Sequence, residues 1–236
     1  MKTRQMKITA GVFSGFLLCF MFQNGSRVNW DEALIKKVDL NTRNSHAKEL
    51  LGNAYKKSSA RLHERNQNLS KALLQTVRER LPDVYARQAA ALTRTIVDES
   101  QDYGLDPVFV MAVIATESNF NPLAVGGVGE IGFMQIRPET AEWIANKLGI
   151  PWIGATGLKN PVINVKIGIA YMAWLRSHMG PNSVKYISAY NMGPKAVRRL
   201  IAQNVKPAEY RSRVLANYET FYKAIPTAQA VTTAQL

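Results

Sequence analysis

Cysteine is almost absent from this chain: Cys19 is the single one in 236 residues. No disulfide can close within it, and beyond position 19 there is no thiolate to hold a metal. Histidine is nearly as scarce. His46, His63 and His178 stand far apart without metal-ligand spacing and read as surface residues. No metal or other cofactor is required by anything in the sequence. Acidic residues are also in short supply, 17 against 30 Lys and Arg, for a net charge of +13. Such a surplus favours a polyanionic partner, with nucleic acid, anionic lipid and bacterial cell wall all in range. No apolar run reaches the roughly 20 residues of a spanning helix. An alternating strand pattern of any length is missing too.

The longest apolar run, 8–22, follows Lys2, Arg4 and Lys7. Positive charge ahead of a mostly apolar stretch has the form of a secretory signal. The sequence Gln23-Asn24-Gly25-Ser26 is a poor cleavage site, so 1–26 reads as a signal peptide or an uncleaved signal anchor. The bulk of the chain is then exported to the periplasm or cell envelope, with membrane anchoring through 8–22 open. Leu18 stands before Cys19 where a lipoprotein signal has a small residue, which argues against lipid attachment.

Residues 27–81 are polar and basic, with Leu51, Tyr55, Leu62, Leu69, Leu73, Val77 and Leu81 recurring at intervals of four and seven. That stripe predicts a helical extension or spacer, with docking of a protein partner as a further use. From Pro82 a helical domain is expected over 82–225. Asp106-Pro107 and Asn160-Pro161 each supply a cap followed by a first-turn proline, while Gly104, Gly149 and Gly180 mark helix ends. Lys206-Pro207 opens a last helix to about Lys223. The fold class is all-α, and 226–236 form a small, polar, flexible tail.

The charge is unevenly spread. Positions 1–94 hold 17 basic and 7 acidic residues, 98–160 hold 3 and 8, and 161–236 hold 10 and 2. Carboxylate chemistry belongs in the acidic middle. There the nearly continuous apolar run Val108 to Ala115 ends in Thr116-Glu117-Ser118-Asn119. Desolvation and the negative end of the helix dipole both raise the pKa of a carboxyl so placed. A general acid working near neutral pH needs that shift. Position alone favours a Glu117 that points to solvent from the helix end. Downstream, Gly126-Gly127-Val128-Gly129 permits close backbone approach. In the segment that follows, Phe133 and Met134 fit either an apolar wall or the core, and Gln135 offers an amide. Ala189-Tyr190-Asn191 places a hydroxyl and an amide at a helix end.

Taken together, Glu117-Ser118 with Asn121-Pro122, then Gly132-Phe133-Met134-Gln135, then Asn164 with Gly168 and Tyr171, then Ala189-Tyr190-Asn191 resemble the catalytic domain of soluble lytic transglycosylases. The resemblance covers about Tyr85 to Lys223, and the four blocks come in family order. It implies a goose-lysozyme-like, mainly helical fold that binds peptidoglycan glycan strands. By the same resemblance Glu117 acts alone as acid and then base between N-acetylmuramic acid and N-acetylglucosamine, leaving a 1,6-anhydro sugar. Phe133, Met134 and Gln135 would line the sugar cleft. Tyr190 would hydrogen-bond near Glu117, Asn191 would shape the pocket, and Tyr210 would face it from the last helix. Ser118 and Asn164 are expected as scaffold.

Three positions depart from the family pattern. Gly126 stands where a Ser is usual, Glu130 where a small residue precedes the Gly-x-Met-Gln block, and Lys206 where an acid is common. Glu130 is expected to face solvent, with Glu130→Gln a minor change. Facing the cleft instead, it would supply a second carboxylate for a hydrolytic muramidase. A non-catalytic wall-binding assembly protein is the other alternative, though an intact Glu117 argues against it. Nucleic-acid binding has no motif in its favour.

Overall fold

A computed structural model describes residues 33–227. The signal or anchor segment, the run 8–22 and most of the tail lie outside these residues. Ten α-helices follow one another among the described residues: α1 Leu40–Leu51, α2 Ser59–Leu62, α3 Leu69–Arg80, α4 Ala89–Asp102, α5 Pro107–Ser118, α6 Pro138–Leu148, α7 Pro161–Met179, α8 Ser183–Met192, α9 Pro194–Ala202 and α10 Glu209–Ala224. Within them the chain forms no strand longer than the isolated bridges Val125–Ile131 and Ile131–Ile136. None of these helices is long and apolar enough to cross a membrane.

Capping residues set the helix bounds. Asp106 accepts from the Val108 amide at 2.8 Å and Pro107 occupies the first turn of α5. Asn160 caps α7 and Asn182 caps α8 in the same way. At its far end α5 stops because Asn119 and Phe120 both take positive φ, 48° and 62°. Gly149, at φ 64°, ends α6 in the left-handed conformation that glycine adopts without steric cost.

The fold is built around α5. Every side chain from Val108 to Ile114 is essentially inaccessible to water, so this helix has no polar face and must be wrapped on all sides. Its main neighbour is α10, while α4 packs on α7, α7 on α8 and α8 on α9. Each such apolar side chain contributes about 1.5–3 kcal/mol on burial. Truncating Ile114 to Ala would remove about 2–5 kcal/mol.

The leucine stripe of the basic front is consumed inside the chain. Leu69, Leu73, Val77 and Leu81 are buried, with α3 packed on α4, while Leu62 is exposed. The apolar face that the sequence offered to a protein partner is therefore already covered from Leu69 onward. Two of the three histidines also correct the surface reading. His46 and His63 are buried, and only His178 is exposed.

His46 escapes its desolvation cost by hydrogen bonding. Its Nδ1 accepts from the Asp106 amide at 2.9 Å, and its Nε2 lies 3.1 Å from the Tyr186 hydroxyl. Burial, with Arg176 nearby, holds its pKa well below the usual value. The ring is therefore neutral, carries its proton on Nε2 and donates it to Tyr186. Arg43, fully buried, lies 3.4 Å from Asp106 Oδ2, donates to Tyr222 and to the Ala60 carbonyl, and so ties α1 to α5 and α10.

Candidate active site

Glu117 sits in the last turn of the buried helix α5. Two bonds from Ser118 fix that turn: its hydroxyl meets the carbonyls of Ile114 at 3.2 Å and Phe133 at 2.9 Å. The second joins the helix end to the glycine-rich segment 124–137. There Gly126 N donates to Glu130 O, Gly132 N to Ala124 O, and Ile131 and Ile136 exchange both amide bonds. Asn164 of α7 clamps this segment from below. Buried, it accepts from the Met134 amide at 2.8 Å and donates to the carbonyls of Ile131 and Leu158.

A cavity of about 440 Å³ opens beside Glu117. The clamped segment contributes Glu130 and Gln135 to its wall, the start of α6 contributes Arg137 and Thr140, and Tyr171 enters from α7. The end of α8 completes it with Tyr190, Asn191 and Met192. Volume and polarity suit a polar ligand about the size of a sugar ring or two.

Burial pushes the Glu117 carboxyl up to about 7; the Tyr210 hydrogen bond and the Arg213 charge oppose that rise, and the Glu130 charge adds to it. Tyr210, itself buried, donates its hydroxyl to Glu117 Oε1 from the first turn of α10. Its own ionisation is driven well above the ordinary range, by burial first and then by the Glu117 charge. It therefore remains a donor across the working pH range. One carboxyl poised near neutrality, oriented by one hydroxyl and open to a cavity, can donate a proton and then retrieve one.

The sequence-predicted residues divide. Glu117, Gln135, Tyr190 and Asn191 meet at the cavity, and Tyr210 reaches it through Glu117. Phe133 and Met134 do not line it: they are 0% and 1% exposed. The left-handed backbone of Gln135, at φ 45°, turns the chain between these residues and the cavity wall. Phe133 packs edge-to-face on Phe120, with ring centroids 5.9 Å apart. Met134 lies against Gly168, where an added Cβ would come within 2.8 Å of its Cβ. What Met134 gives the site is its carbonyl, which accepts the Tyr190 hydroxyl at 2.8 Å. Glu130 also corrects its expectation, being partly buried in the cavity wall instead of facing solvent.

Tyr171, Thr140 and Arg137 were not among the predicted site residues. For Tyr171 a signal existed: Asn164, Gly168 and Tyr171 recur at four and three, one face of a helix. Thr140 and Arg137 belong to an ordinary amphipathic helix start and carry no such mark. Among the described residues, no group of three or more His, Cys, Asp or Glu is placed to hold a metal ion.

Comparisons with known proteins place the chain in a family. Residues 94–212 match the Transglycosylase SLT domain. The membrane-bound lytic murein transglycosylase C of Sodalis glossinidius is 37% identical over 101 residues, 39% of this chain and 28% of that protein. The putative soluble lytic murein transglycosylase of Haemophilus influenzae is 30% identical over 112 residues, 48% of this chain and 18% of that protein. The chain thus spans well under half the length of these relatives. Among solved structures, the 70 kDa soluble lytic transglycosylase of Escherichia coli superposes with a TM-score of 0.50 at 22% identity, over 82% of this chain and 38% of the other. The likeness at that identity is one of fold. With half of its length matched, this chain belongs to the Transglycosylase SLT domain family.

Proposed function

We propose that this chain is a peptidoglycan lytic transglycosylase whose Glu117 serves as general acid and then general base. The observation that carries the reading is Glu117 itself: a carboxyl poised near neutrality, held by Tyr210 and facing a polar cavity. In the first step the Glu117 carboxyl gives its proton to the glycosidic oxygen between N-acetylmuramic acid and N-acetylglucosamine, and the bond from the muramyl anomeric carbon to that oxygen breaks. In the second, the Glu117 carboxylate takes the proton of the muramyl 6-hydroxyl as its oxygen bonds to the anomeric carbon. The 1,6-anhydro sugar leaves and Glu117 is again protonated. No water is consumed. Gln135, Tyr190 and Asn191 bind the sugars, and Tyr210 orients the acid.

The residues from 82 to 225 form the catalytic domain in this proposal, with the basic front packed against them. The net positive charge suits an envelope polymer rich in carboxylates. Export guided by residues 1–26 brings the enzyme to its substrate.

A second reading, hydrolysis to ordinary reducing ends, is favoured by one observation: Glu130 lines the same cavity as Glu117. Mass spectrometry of the soluble products released from purified peptidoglycan separates the two. Products ending in 1,6-anhydro-N-acetylmuramic acid are expected. Reducing ends would replace the proposal by a muramidase, and a protein that binds peptidoglycan without releasing anything would overturn both.

A further inference from the structure

Gly126 and Glu130 meet in the structure across the glycine-rich turn. A Cβ added to Gly126 would fall on the carboxylate oxygen Oε2 of Glu130 and come within 2.8 Å of Gln135 Oε1. The space in front of Gly126 is thus filled by the Glu130 carboxylate. That carboxylate is held there by the Val128 amide, which donates to Oε2 at 3.2 Å. We infer that Glu130 is a positioning residue for the reaction carried by Glu117, and that Gly126 is the residue that makes room for it. The inference rests on the transglycosylase reading and adds to it a second residue and its enabling glycine.

The chemistry follows from what a carboxylate offers. It accepts hydrogen bonds and donates none, with about four lone-pair positions of which the Val128 amide takes one. In the cavity wall it selects the donor groups of a bound sugar, a hydroxyl or an acetamido N–H. A serine hydroxyl at 126 would accept or donate and would carry no charge. Glu130 also adds negative charge to the surroundings of Glu117. The other groups around that carboxyl are Tyr210 and Arg213 from α10, Tyr190 from α8, Tyr171 from α7 and Arg137 at the start of α6. Of these, Tyr210 and Arg213 favour the ionised form of Glu117, and Glu130 favours the protonated one. Removing the Glu130 charge therefore shifts the equilibrium toward the carboxylate at lower pH.

The test compares parent, Glu130→Gln, Glu130→Ala, Gly126→Ala and the double variant Gly126→Ala/Glu130→Ala. Rates of cleavage of soluble uncrosslinked glycan strands are measured across pH, with thermal melting alongside. Glu130→Gln keeps the shape, so its melting temperature is expected to match the parent. Its kcat/KM is expected to fall by about threefold to tenfold, the worth of one hydrogen bond. The alkaline limb of its profile moves to lower pH. Gly126→Ala displaces the Glu130 carboxylate and presses on the Gln135 amide, both far ends of flexible side chains, and is expected to lose at least as much as Glu130→Ala. The double variant then loses no more than the worse single one. Profiles of Glu130→Gln that overlay the parent, or additive losses at 126 and 130, would overturn the inference while leaving the transglycosylase reading intact. A parent that cleaves nothing removes both.

Discussion

Helix α5 carries a carboxylate at each end, and the two could hardly be treated more differently. Asp106 at the N-terminus is fully buried, accepts both the Tyr218 and Tyr222 hydroxyls at 2.6 and 2.8 Å, and faces the Arg43 guanidinium. It also caps its own helix, whose dipole favours the negative charge there. Glu117 at the C-terminus has a single tyrosine, the wrong end of the dipole and a cavity in front of it. Both are served by hydroxyls from the same helix, α10. The comparison separates a carboxylate enclosed by partners, which joins three helices, from one that opens onto a cavity with its pKa raised by burial, the one to which the proposal gives the chemistry. Burial is common to both, and what differs is the number of groups that each carboxylate holds.

The sharpest way to break the comparison is to neutralise each end in turn. Glu117→Gln is expected to lower glycan cleavage by at least about a thousandfold, since the proposal gives Glu117 both the acid and the base step. Its circular dichroism and its binding to peptidoglycan sediment should be unchanged; residual cleavage near the parent rate would remove Glu117 from the mechanism. Asp106→Asn should do the reverse. Leaving Arg43 buried without its counter-charge costs about 3–5 kcal/mol of stability, read by urea unfolding. Product chemistry in whatever remains folded should be that of the parent.

Smaller effects sharpen the contrast. Between the ordinary value of 4.5 and about 7, folded Glu117 keeps a proton that the unfolded chain has released. Stability contributed by that proton is complete below the ordinary value and declines as pH rises through the window. Glu117→Gln should therefore be more stable than the parent at pH 8 by on the order of 3 kcal/mol, with the gain vanishing near pH 4. An equal melting temperature at both pH values would contradict the raised pKa. Tyr210→Phe removes a bond that favours the ionised form, so the alkaline limb of activity should move to higher pH. Its rate at the optimum should fall on the order of tenfold through lost orientation. A limb that moves to lower pH would assign Tyr210 a different role.

The parts of the fold legible in the sequence were those set by residues adjacent in the chain. Asp106-Pro107, Asn160-Pro161 and Gly149 each fix a helix end through their own backbone preferences, and each end lies where those preferences put it. The apolar run Val108 to Ala115 marked the buried helix but left Glu117 free to face solvent; the family resemblance, and not the helix, singled that carboxyl out. Side-chain direction within the segment 124–137 was not. The positive φ of Gln135 and the clamp from Asn164 decide that Phe133 and Met134 point into the core, and neither is a property of the segment itself. For the same reason His46 looked like a surface residue: its partners, Asp106 and Tyr186, are 60 and 140 positions away. Helix α9 has no side-chain cap to mark its start: Pro194 opens it directly after Gly193, whose φ of 82° makes the turn. The place of Glu130 depends on the space that Gly126, four positions earlier, leaves open for its carboxylate.

The most direct test of the account is the titration of Glu117 itself. In the protein labelled with carbon-13 at its glutamate carboxyls, the resonance missing from Glu117→Gln identifies the residue, and its shift is followed from pH 3 to 9. A midpoint near 7, well above the ordinary value of 4.5, is the expected result. A midpoint within the ordinary carboxylate range would mean that Glu117 is ionised at neutral pH, and the proposed acid would have no proton to give.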